Sequence, residues 1–343
     1  MNIKRIGIDL AKQVFQLHGV DRFGKVTVRK QLRRAQMHAY FKDLPPCLIG
    51  MEACASSHYW ARELAKYGHE VKLIAAQFVK PYVKSGKNDA NDAEGICEAV
   101  GRPNMRFVAI KTVEQQVVQA EHRIRSRLVR ARTALCNEIR GLLGEFGIAV
   151  AVGIAQIRNA LPVLLEQKDT CLTERFLQLL SELAEELRQI DDCVQTHDRR
   201  IQASAREDAR IKRLMEIEGI GPISASALVA AVGDAKQFAS GRDMAAWLGL
   251  VPSQHSSGGK ERLGGISKRG DTYLRTLLIH GARAALNTSA GKQDRRSQWA
   301  QSLATRRNRN IATVALANKN ARIAWAVLSR EEAYRGSTQK ASS

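Results

Sequence analysis

Short runs of alternating apolar and polar residues dominate the first hundred positions, and their spacing predicts strands. "IKRIGID" (3–9) and "QVFQLHGV" (13–20) alternate with period two, and Val26 to Val28 can add a third strand after the turn "DRFG". A helical stretch is expected at 35–44. "CLIGME" (47–52) then reads as a short buried strand, "SHYWARELAKYG" (57–68) as a helix closed by Gly68, and "EVKLIAA" (70–76) as another strand. Three antiparallel strands followed by βαβ alternation imply a mixed sheet with helices on its faces, the element order of a ribonuclease-H-like fold.

The period lengthens downstream. Residues 115–146 read as one long helix, with Val117, Ile124, Leu128, Ala131, Leu135 and Leu142 on a shared stripe. Phe176, Leu180, Leu183, Leu187, Ile190, Val194, His197 and Ile201 step by fours and threes, the heptad seam of a coiled coil or a long helical hairpin. The interval 147–171, with Pro162, is expected to be a turn region between these helices. "RLMEIEGIGPISASALVAAVG" (213–233) places Gly219 and Gly221 between two helical segments, in the manner of a helix-hairpin-helix that offers backbone N–H groups to a DNA phosphate, the alternative being a hairpin that serves packing alone. Helices are expected near 271–286 and 310–328. The divisions that follow are 1–110 (sheet domain), 111–206 (coiled-coil helices), 207–330 (a helical domain with the glycine turn and a basic loop) and a disordered tail at 331–343.

Charge changes the picture more than composition does. The 343 residues carry 54 Lys+Arg against 34 Asp+Glu, a formal net charge of +20. Such a surplus points to a polyanionic partner, since each phosphate neutralised releases condensed counterions. Arg123, Arg127 and Arg130 on the long helix are candidate phosphate contacts, the alternative being a solvated charged face. The apolar runs are far shorter than the roughly 20 residues that span a bilayer, and the amino terminus lacks a signal peptide's apolar core. Six scattered cysteines without CxxC or zinc spacing fit reduced side chains of a cytoplasmic protein. Membrane function is therefore not expected.

Four acids stand at element ends. Asp9 closes the first strand, Glu52 closes "CLIGME", and Asp89 and Asp92 lie three apart in "KNDANDAEGI", on one face of a helix start. Singly, each could be a turn residue, a surface charge or a cap. If the sheet brings them together they repel one another unless a cation intervenes, and Mg²⁺, which prefers hard oxygen ligands, is the natural occupant. An actin-like ATPase shares the "GIDL" opening, but it needs a Gly/Ser/Thr-rich phosphate loop directly afterwards, and "AKQVFQLHGV" supplies none.

The second chemical signal is "QHSSGGKERLGGISKRGDTYLR" (254–275), where Ser256 and Ser257 run into glycines and into Lys260, Arg262, Lys268, Arg269 and Arg275. A serine hydroxyl needs a base, a metal or a positive field to become a nucleophile. His255 is a candidate base; the acid-bound metal is another source of activation, with the cations neutralising charge on a phosphate.

The acid set Asp9, Glu52, Asp89 and Asp92, together with "GLVPSQHSSGGKERLGGISKRGDTYLR", resembles the DEDD-type insertion-sequence transposases, a family that includes the Piv-type invertases and the bridge-RNA-guided recombinases. The likeness covers nearly the whole chain. It implies a RuvC-like amino-terminal domain, a coiled-coil middle and a carboxy-terminal transposase domain. It also implies a site-specific recombinase that excises and inserts its own element. The acids would hold Mg²⁺, and a serine would attack DNA and form a covalent intermediate. Ser257, directly before the glycine, matches that serine best; Ser256 is its competitor. A structured noncoding guide RNA and a homodimer or homotetramer in the bacterial cytoplasm come from the resemblance, the heptad seam making an oligomer plausible by itself. A Mg²⁺-dependent hydrolytic junction nuclease and a non-enzymatic nucleic-acid binder are the other readings of the same residues.

Overall fold

The alternating segments fold as strands. In a computed structural model describing residues 3–84, 86, 88–166 and 172–335, β1 (Arg5–Leu10), β2 (Val14–Val20) and β3 (Val26–Arg33) form an antiparallel meander. Helix α1 (Met37–Lys42) leads to β4 (Leu48–Glu52), which pairs in parallel with β1. Helix α2 (Ser57–Ala65) crosses to β5 (Glu70–Ile74), parallel to β4, and a two-residue β6 (Phe107–Val108) adds antiparallel to β5. The result is a six-stranded mixed sheet of order β3-β2-β1-β4-β5-β6. Short helix α3 (Ala76–Val79) precedes α4 (Asp89–Val100).

Each face of this sheet has its own packing. Phe15, Leu17, Met37, Phe41, Trp60 and Leu64 bury one face under α1 and α2, with the Trp60 ring edge-on to Phe15 at 5.4 Å. On the other face α4 lies against β1, β2 and β4. Its approach is close enough that a Cβ on Gly7 would stand 2.3 Å from the Ala93 carbonyl oxygen and from the Cys97 nitrogen. A Cβ on Gly50 would meet Val100 at 2.7 Å. Gly7 lets helix backbone rest on strand backbone, and Gly50 makes room for the Val100 side chain.

The chain divides into two compact units, Met1–Val113 and Glu114–Ser343. The second is helical. Helix α5 (Val113–Glu145) and α7 (Glu174–Glu207) are the two long helices expected, and between them lies a third, α6 (Ile154–Glu166), where a turn region was expected. Ile154, Ile157, Leu161 and Leu165 carry a helical stripe whose buried members pack with Leu135, Ile139, Leu143 and Leu180; Pro162 sits on the exposed side and does not break it. Residues 167–171 of that interval lie outside the described residues, as does most of the expected tail. The α5 stripe also needs correcting. Val117, Ile124 and Leu142 are exposed, while His122, Leu128, Leu135, Ile139 and Leu143 are the buried positions. His122 went unused in the apolar count because it is polar, yet Tyr273 and Ser226 satisfy both its ring nitrogens at 3.1 Å, and burial pushes its pKa down to about 4.

The α7 seam is buried at Leu180, Leu187, Val194 and Ile201, seven residues apart, against neighbours in its own chain. Arg132 and Arg158 both reach Asp191, and Arg125 reaches Asp198, tying α5 and α6 to α7. Beyond it come α8 (Ala209–Met215), α9 (Pro222–Val232), α10 (Gly241–Trp247), a hairpin of β7 (Pro252–Gln254) and β8 (Leu263–Ile266), α11 (Thr272–Asn287), α12 (Arg295–Arg306) and α13 (Arg309–Arg330). They share one core, with Leu228, Met244, Leu278, Leu286 and Leu316 at its centre. Among the described residues no helix is long and apolar enough to cross a membrane.

Two substitutions test the close contact of α4. Gly7→Ala places a methyl inside backbone atoms and should cost at least about 2 kcal/mol. Gly141→Ala, on α5 with open space around it, should stabilise by about 0.5–1 kcal/mol. Urea denaturation midpoints at unchanged slope measure both; equal, small effects would contradict the packing described.

Candidate active site

The backbone contact that seats α4 also assembles the acids. Gly7 and Asp9 face the same side of β1, two residues apart, and Gly50 and Glu52 repeat the relation on β4. Ile8 pairs with Met51, so Asp9 and Glu52 are the next residues along two neighbouring parallel strands. Helix α4 starts beside them. Asn88 caps it by accepting from the Asn91 N–H, which leaves Asp89 and Asp92 free in the first turn. Carboxylate oxygens of Asp9, Asp89 and Asp92 lie within 4.8 Å of one another. Glu52 stands at the margin of this trio, near enough for its charge to act on Asp9.

The electrostatics are those of crowded anions. Burial, then Asp89, Asp92 and Glu52 in turn, raise the Asp9 pKa to about 6. Burial and Asp92 raise Glu52 as well. All the donors are hard oxygens, and the excess negative charge is concentrated where the three oxygens converge. That set fits a divalent cation with oxygen preference. Cys54 sits beside the cluster, its thiol pKa pushed up by burial and then by Glu52 and Asp9. Nothing in the spacing of the cysteines had marked it. The positioning glycines Gly7 and Gly50 were likewise invisible as site residues, although each stands two places before an acid.

In the second unit, the serine segment is a β-hairpin. Ser257 and Lys260 face one another across Gly258 and Gly259, whose φ angles are 57° and 74°. A two-residue turn with φ positive at both central positions is the tight hairpin that glycine favours, so these glycines shape a turn. The two serines differ in what their hydroxyls do. Ser256 Oγ accepts from the Arg262 backbone N–H at 3.2 Å and from Gln254 Nε2 at 3.0 Å. The exposed Ser257 hydroxyl makes no hydrogen bond among the described residues, and the His255 ring makes none to it. Behind the hairpin, Gly249 and Gly270 let the 268–270 segment lie on 247–249 backbone to backbone.

The basic residues divide in the same way. Lys260, Arg262, Lys268 and Arg269 are exposed around the hairpin, and Arg123, Arg127 and Arg130 are exposed along α5. Arg275 corrects the expectation. It is buried, donating to the Leu248 carbonyl at 3.3 Å and to Thr272 Oγ1 at 3.2 Å, so its charge ties α11 to the end of α10 and does not face solvent. At the glycine turn between α8 and α9, Gly219 has φ 86° and its Cβ position would lie 2.5 Å from the Gly281 carbonyl oxygen on α11. Packing therefore accounts for Gly219. Gly221, the N-cap of α9, has open space around it and is exposed.

A carboxylate trio able to hold a divalent cation is the equipment of metal-assisted phosphoryl-transfer proteins. Comparison with known proteins gives the class its content. The family described as Transposase IS116/IS110/IS902 family matches residues 211–301, and the DEDD transposase family of the IS110 type matches residues 6–148, which contain all four acids. A probable family 20 transposase of Pseudomonas aeruginosa is 62% identical over 98% of this chain and 99% of its own. The transposase for insertion sequence element IS1111A of Coxiella burnetii is 48% identical over 97% and 92%, respectively. That for IS1328 of Yersinia enterocolitica is 42% identical over 95% and 97%. The chain belongs to the IS110/IS116 family of transposases, DNA-binding enzymes of transposition.

The raised Asp9 pKa gives a signed prediction. The folded state holds a proton that the unfolded chain has released, so without metal the Asp9 contribution weakens the fold as pH rises from about 3.8 towards about 6. Asp9→Asn should raise the melting temperature of the metal-free protein at neutral pH. Added Mg²⁺ should raise it for the wild type and much less for Asp9→Asn. Equal responses to metal in the two proteins would contradict the site.

Proposed function

We propose that this transposase excises and inserts its insertion sequence by attack of Ser257 on DNA phosphodiesters, with Asp9, Glu52, Asp89 and Asp92 holding Mg²⁺. The observation that carries the reading is the free Ser257 hydroxyl at the tip of a basic hairpin, beside a Ser256 whose oxygen is committed to the hairpin itself. The acid-bearing sheet is a RuvC-like, ribonuclease-H-like domain (1–110), α5 to α7 form a coiled-coil region (111–206), and the remainder (207–330) is the transposase domain with a helix-hairpin-helix at Gly221. A structured noncoding RNA guides the choice of DNA, and the protein works as a homodimer or homotetramer in the bacterial cytoplasm. Support for these last points is the family likeness.

In the step itself, the Ser257 Oγ–phosphorus bond forms as one phosphorus–oxygen ester bond of the DNA breaks. The serine proton passes to a water or basic group, and the departing DNA oxygen takes up a proton. Bound Mg²⁺ would supply Lewis-acid stabilisation of the phosphate oxygens. Lys260, Arg262, Lys268 and Arg269 hold the flanking phosphates and offset charge that builds on the transferred group. Asp9 and its neighbours, being spread over a strand pair and a helix, keep their oxygens convergent without needing the DNA to organise them. Arg123, Arg127 and Arg130 bind backbone phosphates along α5, and the Gly221 N–H end of α9 does the same at one point. The hydrolytic nuclease reading shares the acids but leaves the hairpin without a task, and the relatives that match along the whole chain are named as transposases.

With supercoiled element DNA, Mg²⁺ and RNA transcribed from the element's flanks, a covalent protein–DNA species should accumulate. Ser257→Ala and Asp9→Asn should each lower it at least about a thousandfold, while Ser256→Ala keeps most of it. Free DNA ends formed equally well by Ser257→Ala would establish water as the nucleophile.

A further inference from the structure

Helix α13 shows two different faces. Ala312, Leu316, Ala317, Ala321, Ala324 and Val327 fill the core of the second unit. The adjacent stripe, Ile311, Val314, Ala315, Ile323 and Ala326, instead floors an open groove of about 1690 Å³. Pro252, Gly264 and Gly265 of the β7–β8 hairpin form one of its walls, and Trp299 of α12 another. Ile311 is 55% exposed, unusual for a branched apolar residue on a well-packed helix.

The groove's charged groups are mostly cations. Arg242, Lys319, Arg322, Arg330 and Arg335 line it; Arg242, Arg322 and Arg330 are free of ion pairs and hydrogen bonds among the described residues. Glu332 is the acidic residue in the lining. The Lys319 ammonium stands 4.4 Å from the Trp299 ring centre. Burial, then Arg296, Arg295 and Arg322, lower the Lys319 pKa, so cations here repel one another and an arriving polyanion would relieve that repulsion. A basic channel with an indole and apolar floor is the equipment for flat bases joined by phosphates: rings against the apolar surface, phosphates against the cations. A helix of a second copy would bury the same apolar stripe but leave five cations to be desolvated, which disfavours it.

We propose that this groove binds an unpaired DNA strand, with its bases on Trp299 and the α13 floor and its phosphates on Arg242, Arg322 and Arg330. The base of the hairpin that carries Ser257 at its tip lines the groove through Pro252, Gly264, Gly265 and Ile266. The choice of DNA over RNA rests on the functional reading above; the binding chemistry does not.

Binding of a short oligodeoxythymidine strand to the full chain, followed by fluorescence anisotropy, tests this. A matching strand carrying 5-iododeoxyuridine, cross-linked by light and mapped by mass spectrometry, locates the contact. Cross-links should fall on Trp299 and α13. Trp299→Ala should weaken binding about tenfold. Trp299 is partly buried, so the exposed-site variants Ile311→Glu and Arg322→Glu guard against misfolding and should weaken binding comparably, the second with a shallower salt dependence. Ser257→Ala should bind as tightly as the wild type, so failure of the serine chemistry is read separately from failure of the groove. Cross-links elsewhere, or unchanged affinity in all three groove variants, would overturn the proposal. Tighter binding of oligouridine through the same residues would overturn the assignment to DNA. If the variants instead dissolve an oligomer and leave DNA affinity intact, the groove is an interface between copies.

Discussion

Helix α4 rests directly on the sheet, its backbone against Gly7 and its Val100 side chain against Gly50, and the arrangement of the acids follows from that contact. Any side chain at either position would lift the helix, and with it Asp89 and Asp92, away from Asp9 and Glu52. Burying the carboxylates and crowding them without a cation is unfavourable, as the raised Asp9 and Glu52 pKa values indicate. The packing of Val100, Ile96 and Ala99 under α4 offsets that repulsion. The site is therefore built before any metal or nucleic acid arrives, which is what a charge-stabilising centre requires.

The hairpin in the second unit applies a similar economy. Two glycines at positive φ close the turn, and Ser256 accepts a backbone N–H to hold its sides, so the one serine left with an uncommitted hydroxyl is displayed at the tip. Around it the cations are exposed, while Arg275, similar in sequence, is turned inward to fasten α11. Position relative to the core separates an arginine that holds the fold from one able to hold a phosphate. Arg125 and Arg132, paired to Asp198 and Asp191, make the same distinction against Arg123, Arg127 and Arg130 on α5.

Much of this was legible in the chain. Apolar periodicity located β1 to β5 of the mixed sheet and the helices α5 and α7, because half-buried elements must carry their periodicity in apolar residues, whereas the two-residue β6 is too short to show one. The acids were legible because each sits at an element's end, where a side chain can face an opening. What escaped has physical causes as well. Helix α6 hid behind Pro162, whose exposed placement let the apolar stripe decide. The α5 stripe went astray at His122, a polar residue buried because two hydroxyls satisfy it. Gly219 reads as a phosphate-binding glycine in the sequence, but only the position of Gly281 across the core reveals a packing role. The groove along α13 left no motif, since its apolar floor and its cations come from segments far apart in the chain.

The central claim is that Ser257 supplies the oxygen joined to DNA. Digesting the trapped protein–DNA species with nuclease and protease and sequencing the nucleotide-bearing peptide by mass spectrometry tests it most directly. The account predicts a phosphodiester on Ser257 within the "QHSSGGK" segment, formed only when divalent metal is present. A nucleotide on Ser256, on a tyrosine, or on no residue at all would contradict it.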